Sequence, residues 1–327
     1  MKPDPQIAPE KESQILTATV TDPVAGMRLD QALSHLFDQY SRARLQQWIK
    51  SGRVTVENQQ RKAKEKVYLG ESIVVKVEDD VEVVWLPEDI PIDIIYEDDE
   101  ILVINKPVGM VVHPAPGHSS GTLCNALLNH VPNAVNLPRA GVVHRLDKDT
   151  SGIMVVAKTL SAHCFLVETL QAREISREYI ALVQGEVTAG GTVDAPMGRH
   201  KVDRKRMAVL GDLDSAGKHA VTHYRIRTRY HAYTLLDVKL ETGRTHQIRV
   251  HMAHIHFPIV GDPVYGGRMR MPKDCSETMR AAIQHFKRQA LHAYQLTLTH
   301  PTTKEEMSWQ APLADDIQQL LSNLEEK

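Results

Sequence analysis

Val142-Val143-His144-Arg145-Leu146-Asp147-Lys148-Asp149-Thr150-Ser151-Gly152 (residues 142–152) is the densest run of reactive side chains in the chain. It opens on one β-type run, Val142–His144, and leads into another, Ile153–Lys158. Asp, Lys, Ser and Gly are turn residues, so the middle reads as a loop joining strands. Taken alone, two carboxylates two residues apart at a strand end fit a glycosidase pair, a metal site or a polar turn. Arg145 and Lys148 bracket Asp147 with positive charge, which would orient that carboxylate.

Further short β-type runs lie on either side: Ile101–Ile104, Met110–His113, Tyr179–Val187, Val221–Arg229 and Tyr233–Leu240. Helical stretches interrupt them. Ser161 is placed to cap a helix carrying Phe165, Leu166, Thr169 and Leu170, and Thr245 to cap one running to about Ile255. Strands outnumber helices and do not alternate regularly with them. The pattern predicts an α+β fold with a mixed or antiparallel sheet flanked by helices and loops.

Toward the N-terminus the pattern changes. Leu29, Ala32, Leu33, Leu36 and Phe37 recur at helical spacing. Ser41 is a suitable cap for a second helix with Leu45, Trp48 and Ile49 on one face, and Gly52 is its natural stop. Val54–Val56 and Ser72–Val77 come next as strands. We divide the chain into a disordered tail (1–14), a small module (15–80, core 27–77), an acidic linker (81–95) and a larger body (96–327).

The chain of 327 residues holds 39 Lys+Arg against 41 Asp+Glu, and this near balance hides segregation. Residues 27–77 carry ten basic and five acidic side chains, whereas residues 78–100 carry eleven acids and no Lys or Arg. Two basic modules separated by an acidic connector suit a polyanion-binding protein. In the small module the basic side chains are Arg42, Arg44, Lys50, Arg53, Arg61, Lys62, Lys64 and Lys66; in the body, Arg199, His200, Lys201, Arg204, Lys205 and Arg206 form a second run. By themselves such runs read as solvated faces, and phosphate contacts from either would follow only from a family resemblance.

Other classes find little support. No stretch approaches the roughly 18 consecutive apolar residues of a membrane span, and the polar N-terminus lacks a signal-peptide core. Three widely spaced cysteines argue for a reducing, cytoplasmic setting without disulfides. There is no Walker A, Rossmann or serine-elbow signature. His246, His251, His254 and His256 lack a metal-ligand spacing and read as core or polyanion-facing residues.

Helix, helix, SGRVTVEN, strand and LGESIVVKV over residues 27–77 resemble the S4 RNA-binding domain. HRLDKDTSG, Tyr179 in REY and LETGRTHQIRVH (240–251) together resemble the RluA-type pseudouridine synthases, as do INKPVGMVVHP, the 257–267 stretch and the C-terminal LHAYQLTLTHP. The likeness spans about residues 15–320. It implies isomerisation of specific uridines in 23S ribosomal RNA, the helix 69 loop above all, by a monomeric enzyme that needs no metal or cofactor. The substrate would sit within an assembling or mature large subunit. By the same resemblance Asp147 is the catalytic carboxylate. Arg249 pairs with it, Tyr179 stacks on the uracil, Ile248 packs against the base, and Arg145 fills the gap left by a flipped nucleotide. Loss of Arg249 is then expected to reduce rate far more than stability. Two rivals stand beside this reading: a noncatalytic S4-bearing RNA chaperone, and a glycoside hydrolase using Asp147 with Asp149.

Overall fold

The computed structural model describes residues 14–37, 40, 42–77, 85–114, 120–203, 206–211, 217–269, 271–272 and 274–325. Of the disordered tail expected over 1–14, Gln14 opens a strand and residues 1–13 lie outside what is described, as do the Ser41 cap, linker residues 81–84, Arg204, Lys205 and the Arg42 side chain. Two compact units divide the chain, Met1–Val84 and Trp85–Lys327.

In the first unit the elements run β1 (Gln14–Thr19), α1 (Leu29–Leu36), α2 (Arg42–Lys50), β2 (Val54–Val56) and β3 (Ser72–Val77). Strand β1 is not legible in the sequence; it pairs antiparallel with β3, which also takes β2. The apolar helix faces meet this sheet, burying Leu29, Leu33, Leu45 and Trp48 completely. Asp30, also fully buried, takes hydrogen bonds from Arg28 Nε (3.0 Å) and from Gln46 Nε2 on α2 (2.9 Å), tying the two helices together.

The second unit continues with β4 (Ile94–Glu97), β5 (Ile101–Lys106), α3 (Leu123–His130), β6 (Ser151–Ala157), α4 (Leu160–Ala172), β7 (Ser176–Gln184), β8 (Gly191–Asp194), β9 (Met197–Arg199) and β10 (Met207–Val209). Then come β11 (Val221–Tyr230), β12 (Tyr233–Leu240), α5 (Gln247–His254), α6 (Glu277–His285), β13 (Leu291–Thr299), β14 (Glu306–Gln310) and α7 (Asp315–Glu325). Among the described residues the main sheet runs β4-β5-β6-β13-β7-β12-β11-β8, with β14 paired to β13. Among the described strands the β6–β13 pairing alone is parallel, so the fold is α+β with a mixed sheet. Strands β9 and β10 form a separate antiparallel ribbon.

All seven residues of β6 are buried, as expected of a central strand covered on both faces. Each buried Val or Ile there contributes about 1.5–3 kcal/mol of apolar transfer. The register aligns Gly152, Ala293, Tyr179 and Val238 in one row across β6, β13, β7 and β12. Gly152 adopts φ 115°, and a Cβ there would meet the Ala293 carbonyl oxygen at 2.1 Å, so only glycine fits.

Several local expectations need correction. Met110–His113 is not a strand, because the Val111 and Val112 carbonyls accept from Leu123 and Cys124 at the start of α3. Val142–His144 contributes only one isolated bridge, Val142 to Val156. Helix α4 is capped by Thr159, whose Oγ1 accepts the Ala162 N–H at 3.1 Å, and Ser161 lies inside the first turn. Helix α5 starts at Gln247 after a left-handed His246 (φ 58°). His246, not Thr245, is the cap residue and makes no side-chain cap bond; the Gln247 side chain instead accepts the N–H of Arg244 in the preceding turn (3.0 Å). Strand β4 begins inside the stretch read as linker.

Candidate active site

The turn carrying Asp147 is held at the carbonyls of residues 147, 148 and 149. Thr150 N–H donates to the Asp147 carbonyl (3.0 Å), and Arg288 Nη1 donates to that of Asp149 (3.2 Å). The Lys148 carbonyl accepts from the Gly109 N–H (2.9 Å) and from Lys106 Nζ (3.1 Å). Lys106 is fully buried and donates its other protons to the Pro107 and Met110 carbonyls (2.8 and 3.1 Å). His144 accepts the Val155 N–H on Nε2 (3.1 Å), which requires a neutral ring, and burial keeps it so by pushing its pKa to about 3.

Burial lowers the pKa of Lys106 from 10.5 to about 8, against the attraction of Asp149 and Asp147. Between these values the unfolded chain retains a proton that the folded chain has released, so the stability contributed by this group rises as pH climbs through the window. The urea midpoint of the wild type relative to Lys106→Met is therefore expected to increase from pH 8 to 10.5. A difference that stays flat over that range contradicts the assignment.

From this rigid loop the Asp147 side chain reaches a guanidinium already clamped from behind. Arg249 on α5 donates from Nη1 to Asp147 Oδ2 at 2.8 Å. It grips Asp262 with two parallel bonds, Nε to Oδ2 (2.7 Å) and Nη2 to Oδ1 (2.9 Å). Asp262, whose side chain is wholly buried, also accepts the Val264 and Tyr265 N–H groups (2.8 and 2.9 Å). Burial disfavours both charges. The two-pronged bond outweighs that, holding the Asp262 pKa below and the Arg249 pKa above the ordinary values. The other Asp147 oxygen, Oδ1, faces His246 Nε2 at 3.7 Å. His246 Nδ1 contacts the Tyr265 hydroxyl at 2.8 Å, and that hydroxyl also accepts the Met207 N–H of β10 (2.9 Å).

Asp147, Arg145, Tyr179, Ile248 and Arg249 all line one cleft of about 530 Å³. Tyr179 (7 % exposed) and Ile248 (4 %) form its apolar wall, while Arg145 is exposed at its edge. Burial first, and the charge of Asp147 in addition, raise the Tyr179 pKa, so its hydroxyl keeps its proton. Of the second basic run, Arg199 and Lys201 are exposed, and the Arg206 guanidinium lies 5.4 Å over the Tyr265 ring. In the first unit Lys50 is exposed, Arg53 is half-buried and the Arg44 guanidinium stacks 5.1 Å over Trp48.

Sequence reasoning misses Asp262, His246 as a neighbour of Asp147, and Tyr265. Asp262 opens Asp-Pro-Val-Tyr, a turn in which an aspartate accepts N–H groups two and three residues on; that local signal is present. His251 is a satisfied core residue, bonded to Thr222 Oγ1 (2.9 Å) and the Ala195 carbonyl (3.1 Å). Among the described residues no helix is long and apolar enough to cross a membrane, and no group of three or more His, Cys, Asp or Glu is placed to hold a metal ion.

Comparison with known proteins gives consistent matches. The RNA pseudouridylate synthase family profile matches residues 100–254, and the S4 domain profile residues 27–73. A protein of Pseudomonas aeruginosa named ribosomal large subunit pseudouridine synthase D is 55% identical over 307 residues, which are 94% of this chain and 95% of the relative. Its namesake in Escherichia coli strain K12 is 53% identical over 307 residues, 94% of this chain and 93% of the relative. Among solved structures, human RNA pseudouridylate synthase domain containing 4 matches with a TM-score of 0.56 at 25% identity, covering 71% of this chain and 92% of that one.

Proposed function

We propose that this chain, which belongs to the RluA-type family of pseudouridine synthases and carries an S4 domain, isomerises specific uridines in 23S ribosomal RNA through Asp147. The observation that carries the reading is the Asp147 carboxylate, hydrogen-bonded by Arg249 through Oδ2 and facing His246 Nε2 at 3.7 Å through Oδ1, at the wall of a cleft that also holds Tyr179. The relatives named for large-subunit RNA support the substrate class. The helix 69 loop, within an assembling or mature large subunit, is the address we infer.

Pseudouridine formation breaks the N1–C1′ bond, turns the uracil and joins C5 to C1′, with no net oxidation or reduction. Asp147 either attacks C1′ or takes the C2′ proton; both routes need a charged carboxylate with one oxygen unencumbered. Arg249 supplies the orientation and leaves Oδ1 available. Tyr179, kept as the neutral phenol, offers an apolar ring to the base and a hydroxyl near C5 late in the reaction. Arg145, exposed at the rim, replaces the extruded nucleotide in the RNA stack. Tritium release from 23S rRNA labelled at uridine C5 tests this reading. Release by the wild type supports it, and no release from any rRNA fragment removes it.

The S4 unit supplies placement on the RNA. Lys50→Gln with Arg53→Gln should leave turnover at saturating RNA unchanged and make the salt dependence of binding shallower by about 1.5 in log–log slope. An unchanged slope assigns the affinity elsewhere.

A further inference from the structure

We propose that Arg177 forms an anion subsite inside the cleft, which takes the phosphodiester group next to the reacting nucleotide. The identity of that anion rests on the RNA-isomerase reading; the existence of the site does not. Arg177 and Tyr179 are two residues apart on β7, so their side chains share one face, and both line the cleft beside Asp147. Arg177 is only 8 % exposed, and its Nε is buried with no hydrogen-bond partner. Among the described residues its guanidinium has no ion pair either.

Three other arginines of the cleft have partners. Arg249 is paired with Asp147 and Asp262, Arg173 with Glu241 (3.1 Å), and Arg244 donates Nε to the His219 carbonyl (3.1 Å). An arginine cannot escape burial by losing its proton, as a lysine or histidine can. An unpaired buried cation is strongly unfavourable, so a counter-charge from outside the chain is the physical expectation.

The surroundings are shaped for the guanidinium. A Cβ on Gly243 would lie 2.5 Å from Arg177 Nη1, so a side chain there would displace it. The positive charge is felt at both His144 and Tyr179, where it works to lower their pKa values. A planar fork of donors matches a phosphate better than a base carbonyl, which offers an acceptor but no counter-charge. RNA carries one such anion per nucleotide.

Arg177→Met in the full chain tests the site, because methionine retains much of the apolar length and removes the buried charge. The thermal midpoint is expected to stay level or rise, whereas loss of an arginine with a purely structural role would lower it. RNA affinity should weaken about ten- to hundredfold, with KM affected more than kcat, and Arg177→Lys should recover only part. A single neutral methylphosphonate linkage beside the target uridine should impose a similar loss on the wild type and almost none on Arg177→Met. Independent penalties that multiply, or a loss confined to kcat with the methylphosphonate effect intact, overturn the phosphate assignment in favour of a contact to the base. A second arm needs no activity: inorganic phosphate should raise the thermal midpoint of the wild type more than that of Arg177→Met. Equal shifts overturn the subsite. Failure of the wild type to modify any RNA would instead defeat the proposed function and leave this second arm decisive for Arg177.

Discussion

Asp147→Asn is expected to reduce pseudouridine formation below about 10⁻⁴ of the wild-type rate, since losses of this order attend removal of a group that forms or breaks the covalent bond. Asparagine keeps the size of the side chain and can still meet Arg249 with its carbonyl oxygen, so the fold and the loop should persist. The carbonyls of residues 147–149 are held by Thr150, Lys106, Gly109 and Arg288, none of which depends on the carboxylate. RNA affinity should change by no more than about twofold, because phosphate contacts supply most of the binding. Single-turnover kinetics and a filter-binding titration on the same RNA separate the two quantities. Turnover near that of the wild type removes Asp147 from the mechanism.

The second large effect is at Arg249, and here the structure changes the expected balance between rate and stability. Seen as a partner of Asp147 alone, the residue could be removed with little harm to the fold. In the structure its Nε and Nη2 bind Asp262, a carboxylate with no solvent exposure. Arg249→Ala strands that charge, and breaking a buried pair from one side costs about 3–5 kcal/mol. It also frees the Asp147 rotamer, and loss of such positioning costs about a hundredfold in rate or more. Arg249→Lys keeps a positive charge but cannot bridge both aspartates with a planar fork, so it should fall between wild type and alanine in both respects. Urea unfolding and single-turnover rates measured on both variants test this. An alanine variant as stable as the wild type would show that Asp262 does not depend on Arg249.

How much of the molecule the sequence reveals depends on how far each signal reaches along the chain. The α+β class is legible from local alternation, because β-runs such as Tyr233–Leu240 carry their pattern within eight residues. The 144–152 loop is visible because its reactive side chains are contiguous. Asp147 and Arg249 are 102 residues apart, and nothing in composition or spacing joins them; the family resemblance alone pairs them. Asp262 escapes because a lone aspartate before proline reads as a turn residue. Arg177 escapes because the β-type pattern is clear only from Tyr179 onward, whereas β7 begins at Ser176 and carries Arg177 on the cleft face. Both cap expectations fail because a suitable side chain is not enough: Thr159, two residues before Ser161, makes the bond at α4, and α5 begins after a left-handed His246 with no side-chain cap. Helices α3, α6 and α7 are open to the same local reading and are missed; α7 carries Ile317, Leu320, Leu321 and Leu324 at helical spacing.

The central claim is that this chain makes pseudouridine in 23S rRNA through the Asp147 carboxylate. Nucleotide-resolution mapping of pseudouridine in 23S rRNA tests it most directly, in a strain lacking the gene and in the same strain complemented with wild type or with Asp147→Asn. A small set of pseudouridines, in the helix 69 loop, should be absent from the deletion strain, restored by the wild type and not restored by Asp147→Asn. A deletion strain with an unchanged pseudouridine map, or full restoration by Asp147→Asn, would contradict the claim.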